Sequence, residues 1–356
     1  MRLHIFLGTK AELIKIVGLI RELDRKKIYY NYIHTGQHTK DCEIISDIFG
    51  IKKPDFYLVP LKRNLLNIKE MFFWFLKVLR KSISYGEIKK GDIVIVHGDT
   101  ESTLLGMLIA KMKGARLIHV EGGLRSGHLL NPFPEEIVRR MVDKISYHIF
   151  APGETAKRNA LKIKSENKIT DTEFNTGWDS LALALNVRPT IKIPKYKYAV
   201  LMLHRKETIY VEKKLKHALR IINLISKKIK IIFVISDKTK EVLKKNNLMD
   251  PIEKNENIEI IPHQNYVNFV HLMNNSEFCV TDGGTMQEET YFMNKPCLLL
   301  RLVTERIEGL GETAFLSHLK IDKIKYFLDN YKKFKRIKEI NFKSPSSRIA
   351  EKIKNL

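Results

Sequence analysis

Asp99, Glu121 and Glu135 are the residues whose types and settings could do chemistry. Asp99 closes the apolar run "DIVIVHGD", Glu121 closes "RLIHVEGG", and Glu135 opens the helical stretch "EEIVRRM" after a Pro-Phe-Pro turn. Carboxylates brought to one place stabilise a positive charge or carry a proton. A second constellation lies downstream. "TDGGTMQEE" (281–289) reads as strand, glycine pair and helix start, where small residues let a phosphate approach backbone N–H groups and the helix N-terminus favours the anion. Glu288 and Glu289 lie one to two turns in, where a carboxylate can accept from a ribose diol. "LHRKET" (203–208) sets His204 and Arg205 at another strand end, suited to a diphosphate. Taken singly these features have plainer readings, such as a tight turn, a helix N-cap at Asp99, or a first-turn dipole partner at Glu136. Three carboxylates in one half of a chain and a phosphate loop in the other point to an enzyme.

The elements that must position these residues alternate between two kinds. "LHIFLG", "YYNYIHTG", "DIVIVHGD", "RLIHVEGG" and "YHIFAP" are strand candidates separated by amphipathic runs such as "AELIKIVGLIRELDR". This is βα repetition with strands buried on both faces. After the connector "RPTIKIPKYK" (188–197) it restarts with "YAVLMLH", "KIIFVIS", "NIEIIP", "FCVTDGG" and "PCLLLR". The expected architecture is α/β: two Rossmann-like, doubly wound domains facing a cleft, residues 1–186 and 187–344. A Ser-capped C-terminal helix over 345–356 is expected to dock back on the first domain. Ligands of such sheets bind beyond the carboxyl ends of the strands, where the polar residues above fall.

Composition narrows the class. Lys and Arg total 63 against 40 Asp and Glu, a formal charge of +23, but the lysines are scattered through helices and no nucleic-acid motif appears. A general Lys, Ile and Asn bias explains the charge, and an anionic small substrate is compatible with it. "MFFWFLKVL" is far too short for a membrane span. "MRLHIFLGTK" reads as a strand and not a signal peptide. The three cysteines, Cys42, Cys279 and Cys297, have no metal or disulfide pattern, so the expectation is a cytoplasmic protein with no metal. No G-x-G-x-x-G turn follows the first strand, which argues against a nicotinamide; no cofactor is expected.

"GTKAELIK", "TGQH", "VHGDT", "VEGGLRSG", "PFPEE", "LHRKE", "TDGGTMQEE" and "TERIE" fall in an order and spacing that resemble the non-hydrolysing UDP-N-acetylglucosamine 2-epimerases of bacteria and archaea, from residue 3 to about 310. The resemblance implies a glycosyltransferase-B-like fold with the nucleotide on the second domain. It implies that Asp99, Glu121 and Glu135 are the catalytic carboxylates and that His204 acts at the diphosphate, helped by Arg205. Gly283, Gly284 and Thr285 match the phosphate loop and Glu289 the ribose ligand. Gln264 and Phe269 match the uracil pocket, with core packing the plainer reading of Phe269. Lys10, Lys15 and Arg306 match further substrate contacts, and Glu12 and Glu308 are supporting members. The implied reaction interconverts UDP-GlcNAc and UDP-ManNAc through elimination of UDP to a glycal and re-addition, for surface polysaccharide or glycan precursor synthesis by a homodimer. Alternatives are the hydrolysing epimerase that releases ManNAc and UDP, and a sugar transferase on the same fold. Lys10-Ala11 stand where members usually carry Arg-Pro, Gly283-Gly284-Thr285 where they carry Ser-Gly-Gly, and Thr39-Lys40 where they carry Arg and Glu near a regulatory site. These departures leave room for a related UDP-N-acetyl sugar.

Overall fold

The computed structural model describes residues 1–61, 68–127, 134–304, 306–336 and 343–356. Pro132 and Phe133 of the Pro-Phe-Pro turn, and Glu305 of "TERIE", lie outside the described residues. The chain divides into two compact units, Met1–Leu183 with Phe342–Leu356, and Ala184–Asn341.

The first unit is built on a parallel sheet of β1 (Leu3–Leu7), β2 (Tyr30–His34), β3 (Phe56–Tyr57), β4 (Ile93–His97), β5 (Arg116–Val120), β6 (His148–Ala151) and β7 (Ile169–Asp171). Their order is β3-β2-β1-β4-β5-β6-β7. β1, β2 and β4 are buried along their whole length, as continuous apolar runs require when helices cover both faces. On one face Phe6, Val94, Val96 and Leu117 pack against Leu105, Ile109, Val138 and Val142 of the helices Glu101–Lys113 and Glu135–Ile145. Full burial of each such side chain contributes about 1.5–3 kcal/mol. The helix Lys10–Arg25 begins at a capping box in which Thr9 and Glu12 satisfy each other's backbone N–H groups. The C-terminal helix Pro345–Lys354, capped by Ser344, belongs to this unit. Its Ser346 N–H donates to Asp179 (2.8 Å), and Glu351 pairs with Lys26 (3.4 Å).

The second unit repeats the plan with β8 (Tyr198–Met202), β9 (Lys230–Ile235), β10 (Ile258–Pro262), β11 (Phe278–Thr281), β12 (Cys297–Leu299) and β13 (Ala314–Leu316). They run parallel in the order β10-β9-β8-β11-β12-β13. Leu201, Phe233, Val280 and Leu298 form its core with Leu215, Ile222 and Phe327. In both sheets the order reverses beside the first strand, between β1 and β4 and between β8 and β11. Such a switch point leaves a crevice at the strand ends. The turns that emerge there are Gly8–Lys10, His97–Thr100, His204–Arg205 and Asp282–Thr285.

Candidate active site

In the first unit, Glu121 follows β5 with a φ of +65°, a left-handed conformation that a non-glycine residue adopts only when its surroundings impose it. Its side chain is nearly fully buried. Lys15, one turn into the helix Lys10–Arg25, places Nζ 2.7 Å from both carboxylate oxygens. His97 Nε2 lies 3.4 Å from Glu121 Oε2, close but short of hydrogen-bond geometry. Burial lowers the His97 pKa to about 4, against the pull of Glu121, so this imidazole is neutral. Glu121 thus has the Lys15 ammonium at contact distance in a nearly dry setting.

Asp99 pairs with Arg139 (2.5 Å), which projects from the helix that Glu135 opens. Glu135 Oε2 is buried and has no hydrogen-bond partner among the described residues, so its lone pairs are unspent. Glu136 is different. It keeps the first-turn place that the sequence reading gives it, and the structure also buries it completely. It accepts from Arg140 Nε (2.9 Å) and from Ser126 N (3.0 Å), tying the loop after β5 to the helix start. Burial alone would raise its pKa, but these donors outweigh burial and hold it below the usual carboxylate range.

Glu12 lies at the switch point itself. Its Oε2 accepts from Gly8 N (3.1 Å) and Thr9 N (2.8 Å), and its Oε1 from the hydroxyl of Thr100 (2.6 Å), the residue after Asp99. Burial, only partly offset by those hydrogen bonds, raises its pKa to about 7. Lys10 stands apart from this group, its backbone N–H on His38 Nδ1 (3.4 Å) and its Nζ 3.9 Å from Asp41.

In the second unit, the fully buried Asp282 links the two switch-point strands, accepting from the backbone N–H groups of His204 and Arg205 at 3.1 Å each. The His204 ring, 43% exposed, sits over Gly283. A Cβ at Gly283 would lie 2.5 Å from His204 Cε1, so a side chain there would push the ring aside. Gly284 starts the helix Gly284–Phe292, with the Thr285 side chain exposed at its N-terminus. No side chain caps that end, which leaves it suited to phosphate oxygens. Glu289, nearly buried in the same helix, neighbours Tyr266, whose phenol burial and the Glu289 charge push up. Arg306 lies 3.6 Å from Glu288. Gln264 folds back on Pro262 O (2.8 Å), and Phe269 is half-buried on the helix Tyr266–Asn275, not in the core.

Several groups beside these residues escape a reading of the sequence, among them Arg139, Asp143 and Tyr266. Gln287 is fully buried and donates to Arg306 O (3.1 Å) and Glu308 O (2.9 Å) while accepting from Thr304 (2.8 Å). The one local signal is its place beside "EE" in the second glycine turn. Among the described residues no group of three or more His, Cys, Asp or Glu side chains could hold a metal ion, and no helix is long and apolar enough to cross a membrane.

Two parallel sheets in Rossmann-like order, flanked by helices, with polar turns at their switch points, define the glycosyltransferase-B-like class of two-domain α/β protein. Residues 21–344 match the family model of UDP-N-acetylglucosamine 2-epimerase. The chain is 36% identical over 324 residues to UDP-N-acetylglucosamine 2-epimerase of Methanocaldococcus jannaschii, covering 86% of each chain. Among solved structures it is similar to the M. jannaschii UDP-GlcNAc 2-epimerase in complex with UDP-GlcNAc and UDP, with a TM-score of 0.85 and 30% identity over 100% of both chains. It is also similar to UDP-GlcNAc 2-epimerase from Neisseria meningitidis bound to UDP-GlcNAc, with a TM-score of 0.85 and 27% identity over 100% of both chains. The chain belongs to the UDP-N-acetylglucosamine 2-epimerase family, a family of isomerases.

Proposed function

We propose that this protein interconverts UDP-N-acetylglucosamine and UDP-N-acetylmannosamine without releasing free sugar. The observation that carries the reading is the pairing, within one family member, of a buried carboxylate group around Glu121 with an uncapped helix start beside His204. UDP binds to the second unit, its diphosphate at Gly283–Thr285 with His204 and Arg205, and its ribose at Glu289. Gln264 and Phe269 serve the uracil, and Arg306 and Lys10 serve as further substrate contacts. The carboxylates of the first unit act on the sugar.

The C2 proton of the sugar is not adjacent to a carbonyl, so its loss needs positive charge to develop at C1. Glu121, held beside Lys15, stabilises that charge, and Asp99 adds to it. Glu135, with its unspent lone pair, takes the C2 proton. The C2–H electrons become the C1=C2 bond of the glycal as the C1–oxygen bond breaks and UDP leaves with the electron pair. Re-addition reverses these steps, with a proton delivered to the opposite face of C2. "VEGGLR" and "PFPEE" support the non-hydrolysing outcome over release of ManNAc.

A cytoplasmic setting is supported by three buried, reduced cysteines. A homodimer is supported by the helix Ile68–Ser84, which exposes Phe72 (58%), Phe73 (63%) and Leu76 (43%) side by side. The deciding experiment follows UDP-GlcNAc turnover by NMR in deuterated water. The expected product is UDP-ManNAc carrying deuterium at C2; epimerised product without deuterium, or ManNAc as the main product, overturns the proposal.

A further inference from the structure

Behind the carboxylates lies a buried ionic group for which the reaction has no direct use. His119, on β5 and fully buried, is bonded at both ring nitrogens. Nε2 lies 2.7 Å from the carbonyl oxygen of Gly98, and Nδ1 lies 2.6 Å from Asp143 Oδ1. A carbonyl oxygen only accepts, so Nε2 must carry a proton. Asp143 Oδ2 in turn accepts from Gly123 N–H (3.0 Å) and lies 2.7 Å from Arg125. Burial alone would raise the Asp143 pKa, but His119 and Arg125 hold it below the usual carboxylate range. The Nδ1 contact at 2.6 Å needs a proton of its own, held between the ring and the carboxyl.

Three segments meet on this pair, and each carries one of the proposed catalytic carboxylates. Gly98 immediately precedes Asp99. His119 and Gly123 bracket Glu121, and Asp143 lies two turns along the helix that begins at Glu135. Gly122 is pressed so close that a Cβ there would meet Asp143 Oδ1 at 2.7 Å and His119 Nδ1 at 2.9 Å. Gly98 N–H donates to Val120 O (3.0 Å), which closes the turn-to-turn contact on the other side. We propose that the hydrogen-bonded His119 and Asp143 are positioning residues that hold Asp99, Glu121 and Glu135 in mutual register. Without either contact the turn after β4 would no longer be tied to the helix. The inference rests on the epimerase reading for its consequence, but its geometry belongs to the first unit alone.

The test has two readouts. In the wild-type protein with 15N-labelled histidine, Nε2 of His119 should carry a directly bonded proton and Nδ1 should lie in a strong hydrogen bond to Asp143; an unprotonated Nε2 overturns the proposal. In kinetics, Asp143→Asn and His119→Gln, checked for folding by circular dichroism, should lose roughly tenfold to a hundredfold in kcat, because displacement of about 1 Å costs that much. UDP affinity should stay within about twofold, since the second unit holds the nucleotide. His119→Gln keeps a donor for Gly98 and should lose less than His119→Ala. Near-normal kcat in folded Asp143→Asn overturns the proposal, as does an equal loss in His119→Gln and His119→Ala. If the wild-type protein epimerised no UDP-N-acetyl sugar, the proposed function would fail while the NMR readout still decided the hydrogen-bonded pair.

Discussion

Lys15 Nζ sits 2.7 Å from both carboxylate oxygens of Glu121, joining the first helix of the chain to the turn after the fifth strand. The pair is largely buried, so removing either partner leaves the other charge poorly solvated. Glu121→Gln is expected to lower kcat by on the order of a hundredfold or more. Lys15→Met should lower it as well, and the double variant should lose less than the two single losses multiplied together. Rates that multiply freely would show that the two side chains act independently.

Glu12 gives a pH signature. Its folded pKa of about 7 exceeds the ordinary 4.5, so the folded state holds a proton that the unfolded chain releases between those values. The associated stability is complete below pH 4.5 and is lost as pH rises through 7. The whole effect is at most about 3 kcal/mol. Glu12→Gln resembles the protonated side chain, so its Tm should gain on the wild type between pH 5 and 8 and converge towards it in acid. Parallel Tm curves would contradict the assignment.

Glu135 and Glu136 are neighbours with opposite expected phenotypes. Glu135→Gln removes the carboxylate with an unspent oxygen and should cost on the order of a hundredfold in rate with little change in Tm. Glu136→Gln breaks a buried contact to Arg140 and Ser126 and should cost about 1–3 kcal/mol of stability. Since Glu136 titrates below the ordinary range, its contribution is present above the unfolded pKa and is lost as pH falls. The deficit of the variant should therefore shrink in acid. Thermal denaturation and initial rates on the same two proteins decide between these assignments.

The second unit predicts two losses of UDP binding by different routes. Glu289→Ala removes the proposed ribose acceptor and should weaken UDP by about 1–3 kcal/mol. Gln287→Glu keeps the size of the side chain but deletes the amide donors that hold Arg306 O and Glu308 O. It should loosen Arg306 and Glu308 and weaken the UDP-sugar about tenfold. Calorimetric titration of UDP into each variant is the measurement, and undiminished affinity in Glu289→Ala would remove the ribose assignment.

Much of the fold is legible in the chain because a central strand of a covered sheet is a local, continuous apolar run. "LHIFL" and "IVIVH" show this plainly. Three short strands pass unnoticed, Phe56–Tyr57, Ile169–Asp171 and Ala314–Leu316. All three lie at sheet edges, where one neighbour is missing and two or three half-buried residues suffice.

The chemistry-bearing turns are legible for the same reason, since a polar residue just past such a run lies at the ligand edge of the sheet. Tertiary structure alone decides what those turns rest on. Asp143 reads as one more polar position on an amphipathic helix, and His119 as one histidine inside a strand, yet they meet with no solvent access at 2.6 Å. Glu12 and Glu136 carry the same carboxyl group in the same unit, yet one is shifted up and the other down. The difference is the balance of desolvation against donors brought from distant segments. Sequence sets which groups stand at the strand ends; the low-dielectric contacts between segments set their charge and aim.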